Sequence, residues 1–216
     1  MSARIPANGD ANAGAASTTP STDLGLKGRD LITIGIFTAL YFALTMIPMF
    51  VSGIHPMVWA FFPAMAAILG SVPFMLLCSR VRKPFAILIM GSVMCLITLT
   101  GSFTPLIVGL FVGGALLAEL ARYLTHYERY LGNAVAFAFF SLGWLGSPLP
   151  IWLFHDAFAA HIAQAGMPAE YVAQLVSVSD PIWMAACIGA TVACACLGSL
   201  LTRALFRKHF ERAGLV

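Results

Sequence analysis

The chain has 216 residues, of which 60% are hydrophobic and 10% charged, with a formal net charge of +3. A water-soluble domain carries about 25% charged residues, so this composition leaves too little polar surface to face water and argues against a soluble enzyme. No basic run is dense enough for nucleic acid, no basic–aromatic interleaving occurs, and the length accommodates one compact domain of membrane helices and little else.

Residues 1–24 are Ala, Ser, Thr, Gly, Asn and Pro with scattered charge and lack an apolar core of signal-peptide length. The stretch 1–26 reads as a disordered cytoplasmic tail, ahead of a transmembrane domain over 27–216. From Leu31 onward apolar runs alternate with short polar breaks. A span needs about 20 residues to cross a hydrocarbon core of about 30 Å. Six runs fit, at roughly 31–51, 56–79, 84–100, 104–123, 132–152 and 181–205. The third is short, bounded by Pro84 and the Gly-Ser-Phe-Thr-Pro break at 101–105, and a re-entrant unit made of the third and fourth runs is the alternative.

The breaks carry a topology signal. Arg4, Lys27 and Arg29 precede the first run, and Arg80, Arg82 and Lys83 follow the second. Arg122 and Arg129 follow the fourth, and Arg203, Arg207, Lys208 and Arg212 close the chain. These are all twelve Lys and Arg residues, and the breaks at 52–55, 101–103 and 153–180 hold none. Because basic loops stay in the cytoplasm, this split predicts an all-α, polytopic bundle of six transmembrane helices with both termini cytoplasmic. The outside segment 153–180 is long for a connection and holds His155, Asp156, His161, Glu170 and Asp180. Gly166 and Pro168 predict a turn there, with one short helix over 169–176.

The first run reads Gly35-x-x-x-Ala39-x-x-x-Ala43, a stripe of small residues on one helix face. Such stripes let a second helix approach closely; the partner is either this protein's own bundle or another subunit. Similar stripes at Gly109 and Gly113, and at Ala185, Gly189 and Ala193, read as internal packing. Charge inside the runs is confined to Glu119, one turn from the basic side, where Arg122 three positions on predicts a structural pair. Transport coupled to a mid-membrane charge is therefore not expected. The five cysteines, Cys194 and Cys196 included, read as small apolar packers rather than metal ligands.

Aromatic and polar residues concentrate towards the outside. Trp59 opens the second run, Trp144 and Trp152 flank Gly146-Ser147-Pro148-Leu149-Pro150, His155 and Asp156 follow, and Trp183 opens the last run. Two prolines break the fifth helix, and broken backbone at membrane depth needs a protein wall or a wet cavity. These residues form either an outward-facing ligand pocket or an aromatic belt at the headgroups. A Ser147–His155–Asp156 triad is rejected: no GxSxG elbow occurs and the His and Asp are chain neighbours. HExxH and Walker A sequences are also absent.

The segments GRDLITIGIFTALYFALT, LGSPLPIWLFHDAF and RKHFERAGL resemble the Trep_Strep family of bacterial membrane proteins over about residues 27–216. That family is grouped with the substrate-binding S components of energy-coupling factor (ECF) transporters. The resemblance implies a six-helix S-component bundle in a prokaryotic plasma membrane, binding one small-molecule substrate near the outer face. Its partners would be a transmembrane T component and two ATPase subunits. The usual AxxxA contact with the T component falls on Ala39 and Ala43. The implied function is the substrate-binding subunit of an ATP-driven importer for a small, vitamin-like micronutrient. The substrate-binding residues would be Trp59, Trp144, Trp152, His155, Asp156 and Trp183; no catalytic residue, resident metal or cofactor is expected. The alternatives are a stand-alone secondary transporter or facilitator, and an S component for a metal chelate or haem that uses His155 and His161.

Overall fold

The computed structural model describes residues 25–100, 105–164, 166 and 168–212, with backbone alone at 100, 176 and 208–212. The predicted tail over 1–24 and most of the 101–105 break lie outside the described residues. The described residues form helices and turns, with no strand. In chain order the helices are α1 (Gly28–Ser52), α2 (Pro56–Ala60), α3 (Phe62–Arg80), α4 (Ala86–Thr100), α5 (Pro105–Leu124), α6 (Tyr130–Ser141), α7 (Pro150–Leu153), α8 (His155–Gln164), α9 (Ala169–Ser177) and α10 (Pro181–Arg212). A 3-10 segment, Leu142–Gly146, continues α6.

Among the described residues, four helices are long and apolar enough to cross a membrane: Gly28–Ser52, Phe62–Arg80, Pro105–Leu124 and, within α10, Pro181–Arg207. The predicted third and fifth spans come out shorter. The 15 residues of α4 reach about 22 Å at 1.5 Å per residue, and α6 with its 3-10 extension ends at Gly146. The predicted second run breaks at Phe61 (φ −92°, ψ 6°), which is at once the C-cap of α2 and the N-cap of α3. The segment 153–180 holds two helices, α8 and α9, with the predicted turn at Gly166 in the left-handed region (φ 83°).

α3 is the centre of the bundle, packed along α1 on one side and α10 on the other, while α5 pairs with α4, α6 and the 3-10 segment. Lipid solvates apolar side chains as well as the core does, so packing shape and hydrogen bonds decide which face turns inward. On α1 the buried positions are Ile34, Thr38, Tyr41, Thr45, Pro48 and Ser52. The Thr38 and Thr45 hydroxyls donate to Ile34 and Phe42 carbonyls at 2.7 and 3.0 Å, which spares them from lipid. Between α3 and α10, Ser71 and Thr202 share a hydrogen bond of 3.1 Å. The core is aromatic: Phe74 tilts against Phe137 and Phe140 at 5.0 and 5.2 Å between centroids.

The glycines that permit close helix contact are not those of the predicted internal stripes. A Cβ added at Gly109, Gly113 or Gly189 meets nothing within 4 Å, and Ala185 and Ala193 are exposed, so these stripes face outward and the internal-packing reading is corrected. Close approach occurs instead at Gly114, where an added Cβ would lie 2.7 Å from the Phe139 carbonyl oxygen, and at Gly146, where it would overlap Ile107 backbone. Gly114→Ala is therefore expected to destabilise by about 1–3 kcal/mol through overpacking against backbone. Gly109→Ala should stay within about 0.5 kcal/mol of the parent. Unfolding in detergent distinguishes the two, and equal effects would contradict the packing described.

Every Lys and Arg among the residues described with side chains sits at one end of the bundle. The Lys83 ammonium joins the start of α1 to the α3–α4 turn, bonding Asp30 Oδ2 at 2.8 Å and the Gly25 carbonyl at 2.9 Å. Arg82 and Arg203 line one cavity, which brings the end of α10 to the same place. The opposite end carries Asp156, Glu170 and Asp180 and is here termed the acidic end.

Candidate functional site

The acidic end is closed by α2, α7, α8 and α9, with α7 packed on α8, α8 on α9 and α9 on α2. Pro56 starts α2, and the His55 Nδ1 caps it by accepting from the Met57 N–H at 3.1 Å. This places Trp59 flat against Phe158 of α8, with centroids 5.8 Å apart and planes 9° from parallel. Phe61, at the α2–α3 break, meets Trp183 of α10 edge-on at 6.3 Å. Trp152 on α7 donates its indole N–H to the Val178 carbonyl at 2.9 Å, tying α7 to the end of α9. Leu175 and Val178 are buried beneath, whereas α8 has no buried residue. Aromatic stacking, the Trp152 indole hydrogen bond and the Cys187 thiol donating to the Ala60 carbonyl at 3.0 Å all hold the cap, with α8 the element least committed to the core.

Of the predicted site residues, Trp59, Trp152 and Trp183 fall in this aromatic cap. His155 is half-buried at the start of α8, and Asp156 beside it is exposed. Trp144 lies elsewhere. It is 1% exposed, donates to the Tyr41 hydroxyl at 3.0 Å, and is met edge-on by Phe62 and Phe111 at 5.2 and 5.1 Å. It therefore supports the cap from within the core and offers no surface to a ligand there. Ser147 is also buried.

The α1 stripe has the opposite disposition. Gly35, Ala39 and Ala43 are all exposed, and a Cβ at Gly35 meets nothing within 4 Å. Ile32, Ile36, Leu40 and Ile47 flank them, also exposed. Of the two readings of this stripe, packing inside the bundle does not hold, because α1 uses its Ile34–Thr38–Tyr41–Thr45 face for that purpose.

Residues 28–212 match the family described as hypothetical bacterial integral membrane protein (Trep_Strep). The chain belongs to the Trep_Strep family. No curated protein and no solved structure matches it. With its several long apolar helices, this Trep_Strep protein is a multi-pass protein of the bacterial cell membrane.

At the basic end of the Trep_Strep bundle, the predicted Glu119–Arg122 pair is replaced by two separate attachments. Glu119, 8% exposed, accepts from the Phe85 and Ile87 N–H groups at 2.9 and 3.2 Å and so caps α4. Arg122, 0% exposed, donates to the Val81 carbonyl at 2.8 Å and to Asn133 Oδ1 at 3.2 Å, and lies over the Tyr127 ring at 5.1 Å. Burial, with Glu119 alongside, pushes the Tyr127 phenol up to about 12, so it stays a neutral donor. Sequence reading missed Asn133, Tyr127 and Phe61. For Asn133 the signal was present: an amide inside an apolar run needs a partner, and the nearby arginine supplies it.

Proposed function

We propose that this Trep_Strep protein is the substrate-binding subunit of an ECF-type importer, taking up a small organic micronutrient. The observation that carries the reading is the outward stripe Gly35–Ala39–Ala43 on a helix whose opposite face is already committed to its own core. A small-residue face free of internal partners suits close contact with another membrane helix, here that of a T component bearing two ATPases. Gathering of the described basic residues at one end supports a six-helix insertion with both termini cytoplasmic. The aromatic cap then faces outward, and its stacked rings suit a flat organic ligand. Absence of charge in mid-membrane supports an energy source in a partner.

Co-expression with the T component and ATPases tests this directly. The Ala39→Leu plus Ala43→Leu variant is expected to fold, since both sites are exposed, and to lose co-purification of the partners. A retained complex would remove the docking claim. Uptake by the chain alone, with no ATPase present, would favour a facilitator instead. Native mass spectrometry of the parent should show a bound small molecule. Trp59→Ala plus Trp152→Ala is expected to weaken its retention about tenfold, a difference of about 1.4 kcal/mol.

A further inference from the structure

A cavity of about 160 Å³ opens at the basic end between α3, α6 and α10, lined by Ser79, Arg82, Tyr130, Asn133 and Arg203 with Glu128 also on its wall. It is smaller than the roughly 300–1,000 Å³ of organic-ligand pockets, so it suits a single phosphate-sized group. The Arg203 guanidinium lies 4.9 Å above the Tyr130 ring. The Tyr130 hydroxyl is buried and has no hydrogen-bond partner among the described residues. The lining residue Asn133 is held in place by the Nε of buried Arg122 at 3.2 Å. Buried polar atoms are nearly always satisfied, so an orphan hydroxyl on the wall of an arginine-lined cavity points to a missing acceptor.

Tyr130 also begins a second feature. An apolar groove of about 450 Å³ runs between α6 and α10, lined by Tyr130, Ala134, Ala138, Leu142, Val192 and Cys196. From Tyr130 to Leu142 is twelve residues, about 18 Å along the helix, close to half of the roughly 30 Å hydrocarbon core. One ring thus joins a phosphate-sized polar cavity to an apolar channel of one-leaflet depth.

We propose that this end holds one anionic phospholipid, its phosphate between Arg82, Arg203 and the Tyr130 hydroxyl and one acyl chain along α6 and α10. Placing it in the inner leaflet rests on the orientation argued above, but binding in detergent is read without reference to leaflet or partner. Purified protein is titrated with phosphatidylglycerol and followed by native mass spectrometry. Arg82→Gln plus Arg203→Gln, both exposed sites, is expected to weaken binding at least tenfold, and Tyr130→Phe several-fold. Arg29→Gln plus Arg80→Gln, the same charge loss outside the cavity, should leave it unchanged. Ala138→Phe should weaken phosphatidylglycerol binding by filling the groove. Equal losses in both charge variants, or parent-like binding by Arg82→Gln plus Arg203→Gln, would overturn the site. Competition by millimolar inorganic phosphate with no effect of Ala138→Phe would make it a free-phosphate site and overturn the lipid.

Discussion

Trp144→Ala is expected to lower the stability of the detergent-solubilised protein by about 3 kcal/mol. That is the low end for truncating a buried tryptophan, because lipid solvates apolar groups nearly as well as the core and the loss is mainly that of a filled cavity. The cavity would open where Phe62, Phe111 and Tyr41 converge, beneath the aromatic cap. A double-mutant cycle separates packing from hydrogen bonding. Trp144→Phe keeps most of the ring and strands the buried Tyr41 hydroxyl, at a cost of about 1–3 kcal/mol. Adding Tyr41→Phe removes the stranded group and should recover much of that loss. Unfolding of the four proteins under one detergent condition reads the cycle, and additive single effects would mean the indole–phenol bond contributes nothing.

Glu119→Ala is the second large expected effect, again about 3 kcal/mol. Two backbone N–H groups at the start of α4 lose a charged acceptor, and bonds of that kind are worth about 1.5–3 kcal/mol each. The bonds also hold Phe85 at φ 69°, a conformation that a bulky residue adopts only when its surroundings impose it. Glu119→Gln keeps an acceptor oxygen and should lose about half as much. Hydrogen exchange distinguishes capping from general destabilisation: the Ile87 amide is expected to become exchange-labile in Glu119→Ala before amides in the middle of α3 do. Uniform acceleration across the bundle would argue against the cap.

Much of this architecture was legible because hydropathy and charge act on whole segments. A run of apolar residues is enough for a span, and the exclusion of Lys and Arg from alternate breaks anticipates the single basic end. The faces of the helices were harder to read. On α1, apolar residues surround the axis, so Ile36 and Ile34 look alike although one meets lipid and the other the core. The hydroxyl residues offered a partial key: Thr38, Thr45, Ser52, Ser71, Thr98, Ser141, Thr191, Ser199 and Thr202 are all buried. Read that way, the spacing of Thr38, Thr45 and Ser52 places the inner face of α1 and leaves Gly35, Ala39 and Ala43 outside.

The glycines and Trp144 show where local reading stops. Gly109 and Gly114 lie five positions apart on one helix, yet an added Cβ meets open space at the first and Phe139 backbone at the second. Which one packs depends on where a neighbouring helix crosses, a distance set by contacts remote in sequence. Trp144 looked like its fellow tryptophans by composition and neighbours. Its burial follows from the 3-10 segment that turns it towards Tyr41, 103 residues away. Segment-wide sums of transfer energy and charge reside in the chain and predict membrane insertion. Facing and pairing reside in the assembled bundle, because in a lipid solvent the inward side of a helix is chosen by fit and hydrogen bonding rather than by aversion to water.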